Sequence, residues 1–409
     1  MGWVTDDHPT KDELSSCVEC GLCLPHCPTF RLTGDETASP RGRLAAMSAV
    51  AEGFAEVDDT FADMMGFCLQ CRACEAACPS SVPYGRAMEG ARTEIAAQLD
   101  TPMRKARRAI TGKLLGSRPA VRLVSTGAAV TQRLRLDELV PPLRDRMGGM
   151  RDIPLPAPST IGRQWRPEPG MERRGTVGLL AGCVMDPWFG AVHEATAAVL
   201  AAAGYVVVVP ETQTCCGALA AHEGAADDTR AMAAVNIASF AGFDFIVTDA
   251  AGCGAHLKDY SHWGEGGDEF VTRVRDVTEL VAEAIDEGVL PSFASDGTKV
   301  AVQDPCHLRH VQRVVEAPRT IVRAAGFDPV DVDEVGMCCG AAGFYSLVHP
   351  ETSAELGARK AAEVRATDAG IVASANPGCE MQLRQHLERS MRVVHPVELY
   401  HEALVARGR

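Results

Sequence analysis

Cys17-Val-Glu-Cys20-Gly-Leu-Cys23-Leu-Pro-His-Cys27-Pro28 and Cys68-Leu-Gln-Cys71-Arg-Ala-Cys74-Glu-Ala-Ala-Cys78-Pro79 spell one run, C-x2-C-x2-C-x3-C-P, with forty residues between Cys27 and Cys68. Three thiolates at steps of three wrap one face of a cubane 4Fe–4S cluster, and backbone N–H groups of the tight loop can donate to its sulfides. The fourth cysteine, carried away by a short turn before proline, ligates the other cluster where this run occurs twice. The pattern therefore assigns Cys17, Cys20, Cys23 and Cys78 to one cluster, and Cys68, Cys71, Cys74 and Cys27 to the other. A pair of zinc sites is the competing reading, but those favour two separated C-x2-C knuckles. The intervening residues carry helical patterns at 40–53 (PRGRLAAMSAVAEG) and 61–67.

Eight further cysteines complete the set of sixteen, and they too fall into quartets. One is Cys183, Cys215-Cys216-Gly217 and Cys253; the other is Cys306, Cys338-Cys339-Gly340 and Cys379. Cys183 to Cys306 and Cys215 to Cys338 both span 123 positions, and Cys253 to Cys379 spans 126. Around them the text repeats. An apolar strand (177–181; 300–303) leads to a cysteine and a long helix. A second strand leads to Cys-Cys-Gly. A third (245–248; 371–374) leads to a Gly-Cys turn that opens a helix, and each unit closes on a helix (277–284; 397–404). This is a duplicated α/β unit. Cysteines after strands or at helix starts gather at the carboxyl edge of an open sheet, where ligand sites form. Helix N-termini there stabilise thiolates and an anionic cluster.

Composition narrows the context. At 409 residues and 46% apolar, the chain can fill two or three domains. Its net charge of −14 argues against nucleic acid as a partner. No run of eighteen apolar residues occurs; residues 195–210 read as a helix entering a strand. The acidic N-terminus lacks an apolar signal region, and Asp6 stands where a myristoylation signal needs Ser or Thr. The chain reads as cytoplasmic, with room for peripheral contact at the inner face of the cell membrane. Clustered cysteines in a reducing compartment point to metal rather than crosslinks.

The helical insert between the two runs resembles the α-helical ferredoxin module of succinate dehydrogenase and fumarate reductase iron–sulfur subunits. The Cys…Cys-Cys-Gly…Cys unit resembles the cysteine-rich (CCG) domain of heterodisulfide reductase, glycerol-3-phosphate dehydrogenase anchor subunits and glycolate oxidase iron–sulfur subunits. Two cubane motifs followed by two such units resemble the last of these over the whole chain. The phrases SPRGRL (39–44), DPCHLRHVQ (304–312), CCGAAGFY (338–345) and NPGCEMQL (376–383) carry that likeness. One departure matters: heterodisulfide reductase units end in Cys-x-x-Cys, and here the last positions are His256 and Gln382. Each unit offers four thiolates instead of five, which puts a noncubane double cluster and disulfide chemistry in doubt.

Plainer roles compete for several neighbouring residues. His256 either replaces the missing thiolate or caps and packs; Gln382 reads as no ligand. His193, His307 and His310 either shuttle protons beside the cysteine turns or pack. Asp304-Pro305 and Asn376-Pro377-Gly378 read as turns that aim cysteines. Between Arg104 and Arg146, eleven Lys or Arg meet three acidic residues; this is either a solvated linker helix or a docking surface for anionic lipid or a partner. Neither GCGAHL at Gly252 nor GEGGDE at Gly264 completes a dinucleotide fingerprint, and no P-loop occurs.

The expected fold is α+β and multidomain: an α-helical di-cluster ferredoxin module (1–100), a basic helical linker (101–172) and two duplicated α/β CCG lobes (173–292 and 293–409). The resemblance implies the iron–sulfur subunit of a flavin-linked 2-hydroxyacid oxidase acting on glycolate. Such a subunit takes electrons from an FAD-binding dehydrogenase partner and passes them to quinone or another membrane acceptor. Two 4Fe–4S clusters are expected, one or two further clusters in the lobes, and no flavin or nicotinamide on this chain. The alternatives are a glycerol-3-phosphate or D-lactate dehydrogenase subunit and a heterodisulfide-reductase-like enzyme.

Overall fold

A computed structural model describes residues 2–134, 153–332 and 336–407. The N-terminal helices start where capping chemistry places them. Thr10 and Glu13 form a capping box at Lys11–Ser15, Ser39 accepts from Gly42 N at Pro40–Ala51, and Asp58 accepts from Phe61 N at Asp59–Gly66. Together with Tyr84–Gln98 they close on Leu44, Met47, Val50, Phe61, Met65, Tyr84 and Met88. The cysteine runs lie between these helices, so the loops are held at both ends.

The basic stretch folds back on the protein. Pro102–Arg108 passes through a π turn (Ala109–Leu114) towards Arg118–Arg133. Its cations meet acids of the same chain: Arg107 with Glu223 (3.0 Å), Lys105 with Asp100 (3.4 Å), and Arg122 with Asp186 (3.2 Å). Arg118 donates to the carbonyls of Glu211 and Gln213. The remainder of the stretch, Pro141-Pro142 included, lies outside the described residues.

Both lobes carry the same parallel order. In lobe 1, β2 (Gly175–Leu179) lies between β3 (Tyr205–Val208) and β4 (Phe245–Thr248), and β5 (Val274–Asp276) follows β4. An antiparallel pair of residues from the expected linker, β1 (Gln164–Trp165), extends the β3 edge. In lobe 2, β6 (Lys299–Gln303) lies between β7 (Asp328–Asp331) and β8 (Ile371–Ser374), with β9 (Arg392–Val394) beyond. The central strands read Val/Ile-rich because helices cover both faces. Helices Gly190–Ala202 and Val277–Asp286 of lobe 1 meet Glu316–Ala324 and Pro396–Arg407 of lobe 2 in one shared core, with Leu200, Leu280, Ile321 and Leu399 fully buried. Each such side chain contributes roughly 1.5–3 kcal/mol, so the lobes form one body. Among the described residues no helix is long and apolar enough to cross a membrane.

Candidate metal centres

The two ferredoxin loops share one backbone device. Glu19 and Gly21 flank Cys20 with positive φ (55° and 79°), and Gln70 and Arg72 flank Cys71 likewise (52° and 58°). Left-handed residues on both sides of the central cysteine curl the loop so that its three thiols face inward. Cys17, Cys20, Cys23 and Cys78 line one cavity, and Cys74 borders it. Cys27, Cys68, Cys71 and Cys74 line a second. Cys20 is exposed and Cys17, Cys23 and Cys78 half-buried, whereas all four around the second nest are buried.

The lobe cysteines follow the strands as a switch-point site requires. Cys183, Cys215-Cys216 and Cys253 follow β2, β3 and β4; Cys306, Cys338-Cys339 and Cys379 follow β6, β7 and β8. Gly217 and Gly340 take φ of 92° and 88°, turning each Cys-Cys pair inward. All eight thiols line a single, largely apolar cavity of about 210 Å³ between the lobes. The lobes are joined at its rim: Ala251 N donates to Ala375 O (3.0 Å), and Gly252 N donates to Asn376 Oδ1 (3.1 Å). Asn376, expected only as a turn former, thus braces the opposite lobe and also approaches Cys379 Sγ (3.5 Å). Asp304 is likewise more than a turn residue, since Arg319 and Arg309 clamp its carboxylate.

The three cavities adjoin in series. Pro40, Cys74 and Tyr84 wall both the first and the second; Leu69 walls both the second and the lobe cavity. Gln70 ties the second loop to both lobes. Its carbonyl accepts from His307 Nε2 (2.9 Å), and its amide, oriented to satisfy both ends, accepts from Arg92 (2.9 Å) and donates to His222 Nε2 (3.1 Å). Arg92 also holds the carbonyls of Cys68 (2.7 Å), Met65 (3.0 Å) and His222 (2.7 Å). Cys71, Cys306 and Cys338 then pack in one apolar cluster with Leu69.

The donor set suits iron–sulfur clusters. Desolvation pushes Cys23 up to about 11 and Cys71 and Cys74 well above the ordinary thiol value, with neighbouring thiolates adding to it. In the lobes Cys215 and Cys339 go the other way, because adjacent cysteine thiols hydrogen-bond to each of them. Thiols pushed up by desolvation in this way ionise only when a cation sits among them, which iron supplies. Arg43 is fully buried in the second nest, and its Nη1 has no hydrogen-bond partner in the protein. A cluster sulfide or thiolate there would satisfy it. Among the described residues no three His, Cys, Asp or Glu side chains close on one point; that is single-ion geometry, whereas the four irons of a cubane each take a separate thiolate.

The histidines divide. His193 lies fully buried between Asp249 (2.7 Å) and the Ala181 carbonyl (3.1 Å), bracing strand ends. His310 Nε2 donates to Gly336 O (3.0 Å). His256 is buried and held neutral, its pKa down to about 3 through desolvation, and its Nε2 would sit 3.4 Å from a Cβ at Gly217. Gln382, its counterpart, donates to Ser353 O (2.9 Å). Sequence reasoning missed Arg43, Gln70 and Arg92. Arg43 left a signal: it occupies the i+3 place of a buried helical stripe, Pro40, Leu44, Met47, Val50, where an apolar residue belongs.

Residues 13–82 match the 4Fe-4S dicluster domain family, and residues 177–258 and 300–384 each match the Cysteine-rich domain family. The probable glycolate oxidase iron-sulfur subunit of Bacillus subtilis is 35% identical, with 96% of this chain and 94% of that protein aligned. The glycolate oxidase iron-sulfur subunit of Escherichia coli is 31% identical over the same shares. The chain belongs to the glycolate oxidase iron–sulfur subunit family. A fumarate reductase (CoM/CoB) subunit of Methanothermobacter marburgensis is 27% identical over 96% of this chain and 73% of its own length. As a member of this family the chain is a 4Fe–4S protein and an electron-transfer subunit of an oxidoreductase.

Proposed function

We propose that the chain passes electrons from an FAD-bearing glycolate oxidase subunit to a quinone-type acceptor, and itself carries no flavin or nicotinamide. The observation that supports this reading is the series of three cysteine-lined cavities with shared walls. Iron–sulfur clusters accept single electrons, which is what a two-electron flavin donor needs in a one-electron relay. Cys17, Cys20, Cys23 and Cys78 hold the first cubane near the surface, where a partner can reach the exposed Cys20 loop. Cys68, Cys71, Cys74 and Cys27 hold the second beneath the lobes. Cys183, Cys215, Cys216, Cys253, Cys306, Cys338, Cys339 and Cys379 hold one or two further clusters in the shared cavity. Arg92, Gln70 and His307 fix the second loop against both lobes, so the Cys71-to-Cys306 crossing keeps its length. A further cavity of about 260 Å³, lined by Cys68, Leu69 and His222 and by Met103 and Val348, would give a small acceptor a place beside the second loop. The division at residues 100 and 292 serves as the working domain map, with Gln164–Trp165 of the linker counted with the sheet of lobe 1.

The test is anaerobic purification with iron counting, then reconstitution with the FAD subunit and a dye or quinone. We expect more than the roughly eight irons of two cubanes, and reduction only when glycolate and the FAD subunit are both present. Stoichiometric FAD on the single chain, or zinc in place of iron, would refute the proposal.

A further inference from the structure

We infer that Arg43 is the buried counterion of the second cubane and raises its reduction potential. The inference rests on the cluster assignment above and adds a residue that no cysteine motif contains. Arg43 is 0% exposed. Its Nε donates to the Met64 carbonyl (2.8 Å) and its Nη2 to Thr29 Oγ1 (3.3 Å). Nη1 is buried with no hydrogen-bond partner, and Arg43 lines the cavity of Cys27, Cys68, Cys71 and Cys74. Among the described residues no carboxylate pairs with it; the groups that act on it against the desolvation of its burial are the Tyr84 hydroxyl and the Cys68 and Cys27 thiols, none of them a standing counter-charge while burial keeps the phenol protonated. An arginine taken from water without a counter-charge is strongly destabilising. A cluster held by four thiolates carries net negative charge, so the nest supplies the anion the arginine lacks.

The first nest offers the contrast. Arg41, two residues earlier, borders that cavity but is 32% exposed and is engaged bidentately by Glu36 at 2.8 and 3.0 Å. Its charge is cancelled and screened by water. Arg43 is neither cancelled nor screened. Adding an electron makes a cluster more negative, so an uncancelled cation beside it favours the reduced state, and hydrogen bonds to sulfur act in the same direction. Helix Pro40–Ala51 therefore presents one arginine to each nest, and only the second affects the potential of its cluster.

The experiment is an EPR-monitored redox titration of the anaerobically prepared full chain, with Cys20→Ser marking the first cubane's signal. Arg43→Met is expected to shift the second cubane's reduction equilibrium at least tenfold towards the oxidised form, which for one electron is about 59 mV, and to leave the first cubane in place. Arg43→Lys, which keeps the charge and loses the fork, is expected to shift it less. Equal shifts in both cubanes, or none, overturn the inference. Should Arg43→Met lose its iron, wild type grown with ¹⁵N-arginine decides: a ¹⁵N coupling to the reduced second cubane supports the contact, and its absence overturns it. A chain whose module takes up no iron sinks the cluster assignment and this inference together. About eight irons in the module with no shift sinks this inference alone.

Discussion

The two Cys-Cys-Gly glycines look interchangeable in the sequence, yet alanine should cost far more at Gly340 than at Gly217. Both have left-handed backbones, so an L residue pays about 1–2 kcal/mol at either site. At Gly217 the new Cβ would meet His256 Nε2 and Thr229 Cγ2, each at 3.4 Å, an ordinary contact. At Gly340 it would lie 2.8 Å from the Ser353 carbonyl oxygen and 2.9 Å from Leu356 Cβ. Both belong to helix Pro350–Ala366, so a backbone must move, and overpacking of this kind adds about 1–3 kcal/mol. Gly217→Ala should therefore cost about 1–2 kcal/mol and Gly340→Ala about 2–5 kcal/mol. Scanning calorimetry of the full chain under argon should show a drop several degrees larger for Gly340→Ala. An equal or larger effect at Gly217 would refute the packing argument, because backbone strain alone cannot separate the two sites.

Three further outcomes follow from the geometry. Cys78→Ser should alter the EPR signal of the cubane held by Cys17, Cys20 and Cys23, and Cys27→Ser the other; the reverse pairing would end the crossed assignment. Burial holds His395 near a pKa of about 4, below its ordinary value, while Val397 N donates to its Nδ1. The unfolded chain therefore binds a proton that the folded chain refuses, and stability falls as pH drops from about 6.5 to 4, by roughly 1.4 kcal/mol per pH unit. His395→Asn, which keeps the acceptor, should lower the slope in urea melts across this range by about that amount, leaving the share of buried His256 in place. Arg92→Met strips donors from three carbonyls and should cost about 3 kcal/mol, read as a lower urea midpoint with earlier bleaching of the cluster absorbance.

The cysteine spacings made the duplicated lobes legible, because a strand-end cysteine needs a strand before it and a helix after it. Residues 245–248 and 371–374 are strands as expected, since Phe-Ile-Val-Thr and Ile-Val-Ala-Ser are apolar runs closed by turn residues. Residues 195–210 do pass from helix to strand at Gly204. Other features depended on contacts that spacing does not encode. β1 pairs through only two residues and owes its form to the β3 edge. The basic stretch read as a free surface because its acidic partners, Glu223 and Asp186, lie far along the chain. The facing of both cysteine quartets onto one cavity follows from the helix packing of the shared core; the duplication alone was compatible with one shared site or with two. Gln70 looked like a spacer between two cysteines, and only tertiary structure shows both lobes gripping it.

That grip sets an order of assembly. Gln70, held by His307 and His222, is 4% exposed, and Cys68, Cys71 and Cys74 are buried in the folded chain. A scaffold protein delivering a preformed cluster needs open access to those thiols. On the cluster assignment proposed above, insertion into the second nest would precede docking of the lobes, whereas the first nest, with Cys20 at the surface, would stay open to filling or repair. The finished chain would then be able to replace its outer cluster after oxidative damage but would have to unfold across a domain boundary to replace its inner one.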